Sequence, residues 1–413
     1  ERQRERGRNA MAPCGDGWHF EPKQRWSFQN NVLSGICVFG LIELVWKRRR
    51  AIEWSAYWQR ILFLLLVSVL QSALSLVESV LYGRQIELAR LNERPLFVLG
   101  HPRTGTTLIH TLLALDHHAF GCCSTFCTGF PSSFLWFERF KSAFSSMISS
   151  TRPMDNMPLD FDTPQEDELA TNVLTAAQVS PYAPLVFMTH EPDYRPFFSF
   201  KLAPVAARER WTRAFLYLLK KLTVRARPGV RLVLKSPVHT SRIGLLLQLF
   251  PDAQFVYMHR DPITVFSSAA RMAETTYWCQ YLATPTDEQI LEFILSQFVT
   301  LFDDYIACRA AVPAGNLVEL SYDELVANPS AAVRKVYSAL SIEGFDEREM
   351  GERIAEFLAR KMDNYQTNQF EPLPSALLRR VAERWRPYAV EFGYESRLDQ
   401  LLAAASTEAE RAP

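Results

Sequence analysis

At 413 residues the chain can hold one large α/β domain with appendages, or two to three average domains. Apolar residues make up 48% and charged residues 22%, ordinary for a globular core, and the formal net charge is zero. That balance offers no bulk positive field to nucleic acid or another polyanion, so any anion must be held by a few placed cations.

Glu1 to Arg8 form an Arg/Glu-rich run, followed by Gly and Pro. Residues 1–30 are expected to be a disordered basic segment. They lack the apolar h-region and small-residue cleavage site of a secretory signal, and Met11 is a second candidate for the first residue. Residues 31–93 carry two apolar stretches, 32–46 and 61–81, separated in part by the basic run Lys47-Arg48-Arg49-Arg50. The second stretch has the length of a bilayer crossing, although Gln71, Glu78 and several serines interrupt it, and Glu43 interrupts the first. A membrane hairpin, a pair of interfacial helices and a helical layer packed on the next domain all fit this pattern. The expectation is a hydrophobic helical region that associates with a membrane, with either side of the bilayer open.

From residue 94 to 400 the character is that of an α/β domain. Pro95-Leu96-Phe97-Val98-Leu99-Gly100 reads as a buried parallel strand, followed by a glycine-bearing turn and a helical pattern from Leu108 to Leu115. Apolar runs at 232–234, 255–258 and 317–320 read as three more strands, with helical segments between them. Such alternation predicts a parallel sheet with helices on both faces. The Pro-, Phe- and Ser-rich region 120–201 is expected to be irregular cover over a site. Within it, Phe130, Phe134, Trp136 and Phe137 read as core in preference to a pocket lining. Lys220, Lys221, Arg225 and Arg227 read as a solvated face. The chain after Asp346 is helical and charged, and residues 401–413 are expected to be a flexible tail. Cys122, Cys123 and Cys127 lack a second Cys/His pair at metal spacing, so free thiols are expected and no metal.

The segment Gly100-His101-Pro102-Arg103-Thr104-Gly105-Thr106-Thr107 has the glycine spacing of a Walker A loop, after a strand and before a helix. In that context backbone N–H groups and the helix dipole face a phosphate, and Gly105 permits close approach. Thr106 stands where a Walker loop has its lysine, which disfavours ordinary ATP or GTP hydrolysis. Arg103 supplies a different cation. Further on, Leu232-Val233-Leu234-Lys235 places a lysine at the carboxyl end of a strand, where open α/β sheets bind ligands. Arg260 ends the next strand, and Ser268 lies on the helix that follows, so the two suit a phosphate clamp.

These residues resemble those of the PAPS-dependent sulfotransferase superfamily, whose donor is 3′-phosphoadenosine 5′-phosphosulfate (PAPS). The resemblance spans roughly residues 94–393. It implies that Arg103, Thr104, Gly105, Thr106 and Thr107 hold the 5′-phosphosulfate, that Arg260 and Ser268 hold the 3′-phosphate, and that Lys235 is catalytic. Tyr322-Asp323-Glu324-Leu325-Val326-Ala327-Asn328-Pro329 is similar to a family segment near the adenosine. Thr151-Arg152-Pro153-Met154-Asp155-Asn156-Met157 and Pro164-Gln165-Glu166-Asp167-Glu168 resemble a bacterial-type branch. The implied activity is sulfuryl transfer to an acceptor hydroxyl on a carbohydrate, lipid or small alcohol, with no metal.

The general base has two candidates. Glu166 lies in a dense acidic cluster whose mutual repulsion is expected to raise one carboxyl, although three acids after Pro164 also make an ordinary helix start. His239 lies beyond Pro237, where some family members have a histidine, and a structural histidine is the competing reading. Two other functions remain: a P-loop phosphotransferase or nucleotide hydrolase, and an idle membrane-anchored nucleotide-binding protein. The missing Walker lysine and the Lys235, Arg260, Ser268 set weigh against the first, and Arg103 with Lys235 against the second.

Overall fold

Five short strands organise the computed structural model, which describes residues 18–227, 229–361 and 368–411. They are β1 (Leu96–Gly100), β2 (Phe120–Cys122), β3 (Arg231–Lys235), β4 (Gln254–His259) and β5 (Leu317–Ser321). All pair in parallel, in the order β2-β3-β1-β4-β5. Four of them fall where the apolar runs predict. The fifth, β2, spans three residues inside the region read as irregular cover, too short to show a period.

The strand order explains where a ligand can sit. After β1 the chain runs outward to β2, returns through β3, and then crosses β1 to reach β4. This reversal leaves a crevice beyond the carboxyl ends of β1, β3 and β4, the usual ligand position of open α/β sheets. The registers align those ends, with Val98 opposite Lys235 and Gly100 opposite Met258. The interiors of β1, β3 and β4 are Leu, Val, Phe, Tyr and Met with no exposed face, as expected of a sheet covered on both sides. On one side Trp385 of the helix Ser375–Glu391 stacks on Phe298 of the helix Asp287–Arg309, with ring centroids 3.7 Å apart.

Ahead of the sheet lie two helices, α1 (Val38–Arg48) and α2 (Trp54–Leu88), the latter 35 residues long. By length and composition α2 is able to cross a membrane, yet it packs along the domain. Its inward residues include Arg60, Ser68, Gln71 and Glu78. Glu78 pairs there with Lys221, whose side chain is fully buried. That overturns the solvated face read for Lys221: its partner comes from a helix about 140 residues earlier in the chain, which local sequence does not reveal.

Both chain ends are more ordered than their composition suggests, within the described residues. Phe20 is fully buried, and Asn31 donates to the Cys279 carbonyl at 3.1 Å, so residues 18–31 are tied to the domain. Residues 1–17 lie outside the described residues. The segment 401–413, expected to be a flexible tail, continues the helix Glu395–Arg411, with Leu402 and Ala405 packed against the core, and residues 412–413 lie outside the described residues. Of the four aromatics at 130–137, Phe134 and Phe137 are buried core and Trp136 packs against it, whereas Phe130, buried with them, also lines the cavity described below, against the core-only reading.

Candidate active site

The loop after β1 carries three residues in the left-handed region: Gly100 at φ 128°, Arg103 at 79° and Gly105 at 95°. Gly105 is there for space as well as conformation. A Cβ at that position would meet the Tyr322 ring at 2.7 Å. Helix α3 (Thr106–Ala114) begins immediately afterwards, so the first N–H groups of Thr106 and Thr107 have no partner within the helix and face the crevice end of the sheet. Thr104 closes the turn by donating its N–H and hydroxyl to the His101 carbonyl.

The Arg103 side chain is drawn across this loop by two neighbours, Ser268 and Asp155. Its Nε donates to Ser268 Oγ at 2.9 Å and its Nη1 to Asp155 Oδ2 at 2.9 Å, with Arg152 3.6 Å from the other Asp155 oxygen. Burial raises the Asp155 carboxyl, but the Arg152 and Arg103 guanidiniums outweigh it and hold the acid below its ordinary value. Arg260 donates to the Arg103 carbonyl at 3.1 Å and lies over the Tyr322 ring, 3.8 Å from its centroid. Tyr388 ties the Arg260 backbone at both its N–H and its carbonyl. Arg103, Arg260, Ser268 and Tyr322 are thus brought together. Ser268 bonds to Arg103 here, not to Arg260.

The acidic cluster is divided among three separate partners. Glu166 Oε1 accepts from Lys235 Nζ at 2.8 Å, and its Oε2 accepts from the Tyr182 hydroxyl. Asp167 Oδ2 lies 2.6 Å from His239 Nε2, and its Oδ1 accepts from Ser236. Glu168 receives both nitrogens of the Arg242 fork, together with Trp211 and Ser180. The sequence-based argument from mutual repulsion therefore fails, because each carboxylate has its own donor. The helix start is also not solvated, since Asp167 and Glu168 are fully buried. Burial raises Asp167, but the His239 ring outweighs it and keeps the acid below its ordinary value.

Burial pushes Lys235 down from the ordinary lysine value, and Glu166 opposes that shift. Tyr182 is raised well above the ordinary phenol value by burial and then by Glu166, so it keeps its proton and donates. His239 sits elsewhere. Its ring is fully buried against Phe97, Trp211 and Phe215, and it bonds to the fully buried Asp167 without lining the cavity described next. The structure thus separates the two candidate bases.

A cavity of about 250 Å³ opens beside this cluster. Arg103, Thr106 and Thr107 line it at one end, and Glu166 with Tyr182 at another. The remaining wall is largely apolar, with Phe130, Phe161, Leu169, Leu185, Met272 and Phe293. Lys235, Arg260, Ser268 and His239 are not among its lining residues, so Lys235 reaches the cavity through the Glu166 carboxylate. Asp155 and Tyr182 escaped the sequence reading. Asp155 stands within the branch-like segment around Pro153, which was a signal, whereas nothing local marks Tyr182. Among the described residues, no cluster of three His, Cys, Asp or Glu is placed to hold a metal ion.

Comparison with known proteins agrees with this geometry. Residues 95–347 match the model of a family described as the sulfotransferase family. The chain is 30% identical over 354 residues to the omega-hydroxy-beta-dihydromenaquinone-9 sulfotransferase Stf3 of Mycobacterium bovis and of Mycobacterium tuberculosis, covering 86% of this chain and 89% of those relatives. Among solved structures it is similar to sulfotransferase STF1 from Mycobacterium tuberculosis, with a TM-score of 0.57 and 19% identity over 84% of this chain and 90% of that one. Sulfotransferase STF9 from Mycobacterium avium follows at a TM-score of 0.51 and 19% identity, covering 78% and 82%. At that identity the two structures speak to the fold alone. With a family model matched over residues 95–347 and curated sulfotransferases 30% identical along most of both chains, the chain belongs to the sulfotransferase family and is a PAPS-dependent sulfotransferase.

Proposed function

We propose that the acceptor hydroxyl is activated by Glu166 at the cavity wall, with Lys235 and Arg103 stabilising the charge that develops on the leaving phosphate. The observation that carries this reading is that Glu166 both lines the cavity and is held between Lys235 and Tyr182. PAPS, the co-substrate, supplies the sulfuryl group. Glu166 takes the acceptor proton as the acceptor oxygen forms its bond to sulfur. The sulfur–oxygen bond to the 5′-phosphate breaks, and its electron pair stays on the phosphate oxygen. A cation at that oxygen lowers the barrier because it is preorganised in a site from which water is largely excluded. The N–H groups of residues 105–107 keep the phosphate still, the Thr104 N–H being turned instead to the His101 carbonyl, while Arg260, Ser268 and Tyr322 serve the 3′-phosphate and adenosine side. His239 supports Asp167 and through it the start of the helix Asp167–Leu174.

The apolar wall of the cavity favours an acceptor hydroxyl carried on an apolar body. The relatives named for an omega-hydroxy-beta-dihydromenaquinone-9 acceptor point the same way. The domain from residue 94 onward carries the chemistry, and the region 31–93 associates the enzyme with a membrane. The test is transfer of labelled sulfate from PAPS to a panel of hydroxylated acceptors. Rapid transfer to apolar alcohols with none to sugars is expected. Selective transfer to sugars would overturn the acceptor assignment, and wild-type turnover in Glu166→Gln would overturn the base.

A further inference from the structure

Helix α2 is amphipathic in the reverse sense of a soluble surface helix. Between residues 61 and 81 its one charged residue, Glu78, is buried, and so are Ser68 and Gln71. Its exposed face over the same stretch includes Leu62, Leu66, Val69, Leu76 and Val80, the last two 70% and 85% exposed. These positions recur at helical spacing, so they form one continuous stripe. Helix α1 extends it with the exposed Phe39, Ile42 and Trp46. A stripe of this length is far beyond the scattered apolar residues of a water-facing surface.

The inward face is anchored along its whole length. Arg60 donates to the carbonyls of Tyr281 and Arg25, Ser133 donates to Gln71, Trp136 Nε1 donates to the Leu74 carbonyl at 3.0 Å, and Glu78 meets Lys221 and the Leu135 N–H. From Arg60 to Glu78 these anchors cover about 27 Å of helix axis. A bilayer crossing would carry all of those polar partners into hydrocarbon, where each group left without water is costly. One end of the stripe has a distinct chemistry. Lys47, Arg49 and Arg50 are exposed there beside Trp46, Trp54 and Trp58, and the Arg49 guanidinium lies 4.5 Å from the Trp46 ring. Tryptophan and basic side chains together suit the headgroup zone of an anionic membrane.

We infer that α1 and α2 form a one-sided docking surface for an anionic lipid bilayer, lying flat in its interface without crossing it. This inference rests on the membrane association proposed above and adds its geometry. It also ties the membrane to the acceptor cavity, because the strap before α1 is shared by both. Phe28 packs on Phe63 of α2 at 5.0 Å and Ser72 of α2 accepts the Val38 N–H, while Asn30, Val32 and Gly35 line the cavity.

The experiment is flotation of the full chain with phosphatidylcholine vesicles containing or lacking phosphatidylglycerol, together with spin-label depth measurements at positions 62, 69, 76 and 80. Partition is expected, stronger with the anionic lipid, and the four depths should be equal. The triple variant Leu66→Ser, Val69→Ser, Leu76→Ser should partition roughly tenfold less or weaker, since it removes apolar area from the contact. Because all three side chains are exposed, its binding of adenosine 3′,5′-bisphosphate should match wild type, which separates lost docking from a lost fold or a failed enzyme assignment. Depths that run from one interface through the bilayer centre would replace flat docking with a crossing. No partition of the wild type, with a dimer in light scattering that the triple variant dissolves, would make the face a self-association surface.

Discussion

Lys235 Nζ stands 2.8 Å from Glu166 Oε1 although 69 residues separate them in the chain. The end of β3 and the start of the helix Asp167–Leu174 meet there, and the pair is the meeting point of the buried polar network with the cavity. Lys235→Ala should lower single-turnover rates on the order of a hundredfold or more while nucleotide affinity changes less. Glu166→Gln should abolish the acidic limb of the pH–rate profile along with most of the rate. Tyr182→Phe should cost only about tenfold, because Lys235 still holds the other carboxylate oxygen. Rapid-quench kinetics with labelled PAPS across pH measures all three. A rate near wild type in Lys235→Ala would make that lysine structural.

Arg260 lies on the Tyr322 ring, beside the loop that Arg103 closes. Arg260→Ala should weaken binding of adenosine 3′,5′-bisphosphate by roughly 2–4 kcal/mol, the range for truncating a charge-assisted contact at a desolvated site. ADP, which lacks the 3′-phosphate, should bind wild type and variant alike. Calorimetry with both nucleotides checks this, and equal wild-type affinities for the two would contradict the 3′-phosphate assignment.

Asp155 positions Arg103, and its carboxyl is held below the ordinary value by Arg152 and Arg103 against burial. A depressed carboxyl contributes stability above its unfolded value, ~3.9. That contribution is lost as pH falls through the lower folded value. Asp155→Asn should therefore cost about 1.5–3 kcal/mol at pH 7 and show a flatter acid limb than wild type. Urea titrations at a series of pH values below 7 test this. The same variant should bind adenosine 3′,5′-bisphosphate more weakly, since Arg103 loses a tether.

Glu78 and Lys221 form an ion pair with both side chains essentially inaccessible to water. Breaking it from one side leaves a buried charge, so Lys221→Ala should cost about 3–5 kcal/mol of stability. The paired change Glu78→Leu with Lys221→Met should recover most of that loss, because replacing a buried pair by apolar residues is often neutral. Thermal unfolding of the single and double variants reads the difference. Equal losses in both would mean that the pair itself stabilises the packing of α2.

Several features of this enzyme are local, and for that reason they are legible along the chain. The loop from Gly100 to Thr107 is a strand, a glycine turn and a helix start, and its chemistry comes from N–H groups within a few residues of one another. The four longer strands announce themselves by composition, as do Lys235 and Arg260 at strand ends. Pairings are a different matter. Which cation faces Glu166, and which of Arg103 and Arg260 bonds to Ser268, depend on the order in which β1, β3 and β4 lie side by side. Arg103 and Ser268 are 165 residues apart and meet only because β1 and β4 are neighbours. The acidic run at 166–168 looks self-repelling as a string, yet the fold turns its members toward Lys235, His239 and Arg242 in turn. The apolar period of α2 likewise marks a helix without telling which side faces out. Only the tertiary contacts of Arg60, Gln71 and Glu78 turn its polar side inward, because a buried charge must find its partner wherever the chain places one.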